Sequence, residues 1–476
     1  MRKNSRIHKR IYRILTAVMV CAVLTLMSGC DLPDWLYDAG YWFEDVAEAF
    51  RWWFDDTATA IADKIGSEED EPVEEDEPAE EVETAADAED AEPFLVTPLP
   101  EISLDTEVNE EVVVLEEGEI TADEGVVDVA LAEISLDETL KAERYFAYHT
   151  LNDEQRKIYK LIYNSLFSFG GKTPMPTTDA DLIDRVFACV LADNPELFYI
   201  RGYNLIRYER GGVVESISIS GLYTMDSSEA KAHWEKVDDY VRKCLQGAPT
   251  GTDDYVKIKY LYEYIIRNTE YDLNAENSQN FLSVFENGRS VCQGYSTAMQ
   301  YLMNELGMFC TVVRGVTNTN ENHAWNLVRS NGEYYYVDVT WGDISYNIKV
   351  DASISALPEL PDVSYEYLCV TTEDIEPTHR LKNYFDVPEC TSRRDYYFVR
   401  EGNYFEAVDD EKLEEVFVKA YDRGDSYVMI KCSNQYVFDL MSEYMTGQGR
   451  VFDYTRGLKK ISYVPLKSLN EFIFYL

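Results

Sequence analysis

The sequence predicts an α+β fold, on three observations. From 141 to 267 apolar residues recur at helical spacing in several separate runs. From 323 to 341 two apolar, aromatic-rich runs flank Asn331-Gly332, the dipeptide favoured by a two-residue type I′ hairpin turn. From 391 onward, short strand-like and helical stretches alternate. With 476 residues, 46% of them apolar, the chain has room for two to four domains and the material for their cores.

The chain begins with a segment of a different kind. Arg2, Lys3, Arg6, Lys9, Arg10 and Arg13 form a basic start, and residues 14–27 are an apolar run too short for a comfortable membrane span. The run ends in "LMSGC" (26–30), which resembles the bacterial lipobox, with Met27 where leucine is usual. The resemblance implies a lipoprotein signal peptide over 1–29, lipid on Cys30, and a mature chain on the extracytoplasmic face of the cell membrane. Residues 30–66 form a membrane-proximal amphipathic segment. Trp35, Trp42, Val46, Phe50, Trp53 and Ile61 fall near one side of a helix, with Glu44, Asp45, Glu48 and Asp55 on the other. Such a helix suits the membrane interface, a partner, or its own chain.

Residues 67–140 are expected to be an acidic, disordered linker. The formal charge of the chain is −45, and residues 65–140 hold 29 Asp and Glu with no Lys, Arg or His, leaving −16 for the rest. Like charges extend such a stretch, and its first half has too little apolar surface to fold. "EISLD" occurs twice within it, at 101–105 and 133–137. This balance excludes nucleic acid as a partner, since phosphate binding needs clustered cations.

A mainly helical N-terminal domain is expected over 141–249. "LNDEQ" is a helix start with Asn152 or Asp153 as cap, followed by Ile158, Leu161, Ile162 and Leu166 on one face. A second helix runs up to Pro195, a hairpin turns at Gly211-Gly212, and helices over 228–246 and 252–267 follow. The C-terminal domain, 391–476, reads as a small α+β appendage. Its elements are a Tyr-rich strand pair around Tyr396, Tyr397 and Tyr404, a helix at 410–422, the strand "SYVMIKC", a helix near 433–445 and a last strand "KKISYVPL".

Seven cysteines remain after Cys21 and Cys30 are set aside, so at least one thiol of the mature chain is unpaired. No CxxC pair suggests a metal ribbon or a redox site. Cys310 and Cys432 lie in apolar strand-like runs and read as packing residues.

One of the others stands apart. "SVCQGYSTAMQYLMNELG" (290–307) puts Cys292 at the head of a helix with an apolar face from Tyr295, Met299, Leu302, Met303 and Leu306 and a stop at Gly307. A helix N-terminus favours thiolate, and its free N–H groups can hold an oxyanion. "HAWNLVRSNGEYYYVDVTW" (323–341) then folds as a hairpin in which paired positions sum to 663. In that register Asp338 faces Trp325, His323 faces Thr340, and His323 and Asp338 become diagonal neighbours on one face, about 7–8 Å apart between backbones. A buried carboxylate among aromatics needs a partner, and an imidazole supplies one.

The three blocks "VCQGY", "HAWN" and "VDVTW", taken together, resemble the motifs of the transglutaminase-like superfamily over roughly 250–390. The resemblance implies a papain-like core, with Cys292 as nucleophile, His323 as base and Asp338 as the acid that orients it. It also implies acyl transfer at an amide or peptide bond with no metal or organic cofactor. Hydrolysis, as in a peptidase or amidase, is the expected outcome ahead of cross-linking, on a protein or peptide substrate that includes cell-wall peptide among the candidates. The alternative is a catalytically silent module that binds peptide or wall material in the same cleft. Tyr271 and Gln293 are expected as site-wall residues. His149, His233 and His379 stand in no comparable motif, and "EPTHRL" reads as a loop packing on the core.

Overall fold

In the computed structural model the described residues are 81–84, 106–117, 144–251, 253–343 and 361–476. The signal peptide, Cys30, the amphipathic segment and both "EISLD" copies lie outside them.

Two strands come from the acidic stretch: β1 (Glu81–Thr84) and β2 (Glu107–Val114). The N-terminal region follows with α1 (Phe146–Thr150), α2 (Asp153–Phe167), β3 (Thr173–Met175), α3 (Ala180–Asp193), β4 (Ile200–Arg210), β5 (Val213–Tyr223) and α4 (Ser227–Gln246). Asn152 caps α2, accepting from the amides of Glu154 and Gln155 while Gln155 reaches back to the Asn152 amide. Gly211 and Gly212 both take positive φ, which lets Arg210 face Val213 across a two-residue turn.

The linker does not end where its composition suggests. β2 lies parallel on β4 at the edge of a four-stranded sheet, β2-β4-β5-β3, although its side chains are mostly exposed. An eight-residue ladder from Glu107↔Gly202 to Val114↔Glu209 holds it there, Val113 and Leu115 pack on Ile206 and Tyr208, and Glu107 pairs with Arg201 and Glu110 with Arg207. Gly202 permits the approach, since a Cβ there would meet the Glu107 carbonyl oxygen at 1.9 Å.

The central part runs α5 (Asp254–Arg267), β6 (Glu270–Tyr271), β7 (Arg289–Ser290), α6 (Cys292–Glu305), β8 (Cys310–Thr317), β9 (Asn322–Ser330), β10 (Glu333–Val337), α7 (Val339–Gly342), β11 (Leu368–Val370) and β12 (His379–Leu381). An antiparallel sheet in the order β11-β10-β9-β8-β12 packs against α6. The β9–β10 pairing runs from Ser330↔Glu333 to Asn326↔Val337, the register expected from the sequence. There the strand stops. Asp338 caps α7 instead of facing Trp325, and Thr340 lies within α7 rather than opposite His323.

The C-terminal part comprises α8 (Tyr397–Glu401), β13 (Tyr404–Phe405), α9 (Asp410–Arg423), β14 (Tyr427–Cys432), α10 (Gln435–Ser442), β15 (Lys460–Leu466) and β16 (Glu471–Tyr475). Tyr396 and Tyr397 open a short helix, not the strand expected, and β16 pairs with both β14 and β15 at the centre of the sheet β1-β15-β16-β14-β13. The fold is thus α+β throughout. One hydrophobic core runs from Ala147 to Phe398 and takes in Met429 and Ile473, crossing the boundary expected near 250. A second core, including Phe417, Phe438 and Phe472, belongs to the C-terminal part.

Candidate active site

Cys292 is the first residue of α6, and Val291 before it offers no side-chain acceptor to the first turn. The amides there are among those a helix leaves without internal partners. Gly294 lets the helix start close in, because a Cβ would meet Ser290 Oγ at 2.0 Å and Ser283 Oγ at 2.7 Å. Two polar residues of the motifs then tie this turn to β9. Ser296 Oγ lies 2.9 Å from the Ala324 carbonyl, and Asn326 Nδ2 donates to the Ser296 carbonyl at 2.9 Å. Tyr295 donates to Asp343 Oδ2 at 2.9 Å, linking α6 to the end of α7. These contacts set Cys292 beside His323, the second residue of β9.

His323 Nε2 donates to Asp338 Oδ2 at 2.6 Å. Asp338 Oδ1 accepts from the amides of Thr340 and Trp341 at 2.9 and 3.1 Å, so the capping bonds of α7 orient the carboxylate. Nδ1 of His323 is buried and short of a full hydrogen bond, yet the Cys292 thiol is close enough to act on the ring. Burial opposes charge on this imidazole. The Asp338 carboxylate, and then Cys292, outweigh it and push His323 up to about 10. Burial likewise opposes the Asp338 carboxylate, but His323 and then His379 hold it well below the usual range.

His379 is the residue that the motifs did not reveal. It lies on β12, where it faces Thr317 of β8, and its Nε2 is 3.0 Å from the same Asp338 Oδ2. Trp341 and Trp325 pack on it with ring centroids at 4.5 and 4.9 Å, and both indoles also pack on His323. Burial pushes His379 below its ordinary value, against the pull of Asp338. Nothing near "EPTHRL" in the sequence signals this, since Asp338 lies 41 residues away.

Donor atoms of His323, Asp338 and His379 lie within 4.8 Å of one another and are of types that ligate metals. Tetrahedral bonds of 2.0–2.1 Å would space such donors by about 3.3 Å. The observed 2.6 and 3.0 Å, in a fully buried group, are the distances of shared protons.

Cys292, His323 and Asp338 have no exposed surface, and Cys292 packs against Val312 and Ala324. None of the three lines the nearby cleft of about 580 Å³, whose wall includes Gln293, the residue after Cys292, with Thr297, Arg314, Asn280, Asn194 and Glu107. A smaller hollow, also bordered by Gln293, Thr297 and Arg314, reaches Val312. Gln293 is therefore a wall residue. Tyr271 packs behind Tyr295, with ring centroids 6.3 Å apart, and is not among the residues that line the cleft. His233 pairs with Glu286, and His149 packs on Tyr148, both away from the triad.

Among the described residues all seven cysteines are free thiols and buried. Burial pushes Cys189, Cys244, Cys390 and Cys432 up to about 12, and Cys310 and Cys369 well above the usual thiol range. Those six are inert by environment.

Residues 239–339, which contain all three triad positions, match the model of the transglutaminase-like superfamily core. Kyphoscoliosis peptidase of Homo sapiens is 27% identical over 122 residues, covering 22% of this chain and 18% of that protein. The chain thus spans less than a fifth of the curated relative it matches. Among solved structures, one described as a TGase is 15% identical, with 33% of this chain and 48% of that one covered at a TM-score of 0.22. A candidate cysteine protease from Cytophaga hutchinsonii is 13% identical, with 38% and 70% covered at a TM-score of 0.21.

Proposed function

We propose that this chain, whose residues 239–339 form a transglutaminase-like domain, is a surface-anchored cysteine enzyme that transfers an acyl group at an amide or peptide bond. The observation that carries the reading is Cys292 at a helix N-terminus beside an imidazole held by a buried carboxylate. Cys292 Sγ attacks the carbonyl carbon while His323 Nδ1 holds the thiol proton, and the first-turn amides of α6 face the oxyanion. His323 then gives that proton to the leaving amine as the C–N bond breaks, leaving a thioester on Cys292. Water attacks the thioester, His323 takes its proton, and the acid and thiol are released. Asp338 keeps Nδ1 turned toward sulfur throughout. Water is the acceptor we favour ahead of an amine.

The test is a screen of peptides and wall fragments scored for released amine, with Cys292→Ser as control. Amine release that depends on Cys292 supports the reading, and release that persists in the control overturns it. Anchoring rests on the "LMSGC" resemblance and is tested apart: Cys30→Ala should abolish labelling by a fatty-acid analogue. One observation favours a second reading. The triad has no exposed surface, which suits a closed module that binds peptide and does no chemistry. Failure of a small alkylating reagent to mark Cys292 ahead of the six inert thiols would favour that module.

A further inference from the structure

Two imidazoles meet one carboxylate oxygen in this site. Asp338 Oδ2 lies 2.6 Å from His323 Nε2 and 3.0 Å from His379 Nε2. Both contacts are hydrogen bonds only if both Nε2 atoms carry a proton. For His323 this leaves Nδ1 to serve Cys292. For His379 it leaves Nδ1 2.8 Å from Thr378 Oγ1, a hydroxyl that also donates to the Ile375 carbonyl at 3.1 Å. Tyr367 donates in turn to Thr378 Oγ1 at 3.3 Å. Thr378 Oγ1 and the Ile375 carbonyl thus stand on the Nδ1 side of His379, while Nε2 faces the carboxylate.

We propose that His379 is a positioning residue: its Nε2–H holds Asp338 Oδ2 in place and takes a share of its charge, so that His323 is aimed at Cys292 and returns its proton readily. The inference rests on the acyl-transfer reading only for what His323 does next. With the two amide bonds on Oδ1, His379 brings the donors on Asp338 to four, and the carboxylate cannot turn. A histidine kept only for packing has no need of the bond to Asp338, since burying an imidazole among Trp341, Trp325 and Tyr367 carries a desolvation cost that an aliphatic side chain avoids. The fold also makes room for it. A Cβ on Gly315 of β8 would meet the Arg380 carbonyl at 2.1 Å and the Trp325 ring at 2.8 Å, so glycine there lets β12 close against β8.

The titratable groups that face His379 are Asp338, His323 and Tyr367, with Cys292 beyond His323. Burial and the neighbouring His323 both keep His379 neutral. Removing its donor leaves the full charge of Oδ2 to His323, which then loses its proton at higher pH.

The experiment uses the full-length chain labelled with 15N-histidine, as wild type, His379→Leu and His379→Gln. Leucine fills the space without a donor, and glutamine returns an N–H near Nε2. Wild type should show His379 as the neutral Nε2–H tautomer. In His379→Leu the His323 titration should move to higher pH, and Cys292 alkylation at pH 7 should change together with turnover, kcat falling ~10- to 100-fold at constant KM, the usual scale for loss of an orienting partner. His379→Gln should recover most of both. A proton on Nδ1 with a bare Nε2, or an unmoved His323 titration in a folded His379→Leu, overturns the proposal. If the leucine variant does not fold, the wild-type tautomer and the glutamine variant decide. The nuclear resonance readout needs no substrate, so a protein that turns nothing over counts against the acyl-transfer reading and leaves this one tested.

Discussion

Replacing Asp338 by asparagine changes one atom of the triad and reverses its proton order. The amide oxygen keeps the two capping bonds to Thr340 and Trp341, so α7 stays closed. Its NH2 then faces two Nε2 atoms that both donate in the native site. His323 must give up the Nε2 proton, carry one on Nδ1 instead, and present Cys292 with a donor where it needs an acceptor. The charge changes as well. His323 is pushed to about 10 chiefly by the Asp338 carboxylate acting against burial, and without that carboxylate burial returns it to 6.5 or lower. At 1.36 kcal/mol for each factor of ten, the loss is about 5 kcal/mol of preference for the imidazolium. With a proton on Nδ1, His323 can no longer accept from the Cys292 thiol, so alkylation of Cys292 at pH 7 should slow on the order of 100-fold, the low end of what a positioned base contributes. The assay is limiting iodoacetamide over a pH series, read at Cys292 by peptide mass mapping. Because Cys292 is buried, rates are taken as a ratio to wild type, in which the opening step cancels. A variant that melts like wild type and labels at the wild-type rate from pH 5 to 8 would refute the charge argument.

Three further outcomes follow from the same contacts. Tyr295→Phe removes a donor to the buried Asp343 carboxylate and should cost ~1–3 kcal/mol in urea denaturation, with the helix otherwise intact. Asp193 is fully buried and, despite bonds from Ala147, Tyr148 and Tyr159, burial raises its carboxyl from 3.8 to about 7. Its ionisation is disfavoured in the fold, so it lowers stability as pH rises from 4 to 7, and Asp193→Asn should flatten the melting profile in that window. Truncation to 101–476 strips the four-residue edge strand β1, whereas truncation to 118–476 also strips the eight-residue β2 with its Arg201 and Arg207 contacts and should melt several degrees lower than 101–476.

Much of the site is legible in the sequence because it is made by local rules. Asn331-Gly332 permits the turn that sets the β9–β10 register, and that register returns the chain just past Val337 to the side of His323. The spacing of Tyr295, Met299, Leu302 and Met303 fixes which side of α6 is buried and so where Cys292 stands. Asp338 as a helix cap was not legible, because the same alternation that marks β10 continues through Thr340 in the sequence.

Periodicity and turn chemistry within about twenty residues therefore account for the α+β class, the hairpin, the head of α6 and the three motif positions. The rest depends on contacts between distant segments. His379 reaches Asp338 because β12 closes on β8 over Gly315, and no pattern within either segment records that neighbour. The acidic strand β2 finds its arginines some 95 residues away, although its own composition argues for a solvated chain. Burial of Cys292 is likewise the outcome of α6, β8 and β9 meeting. Charge partners and solvent exclusion depend on which distant surfaces come together, and that is settled by the packing of the whole core.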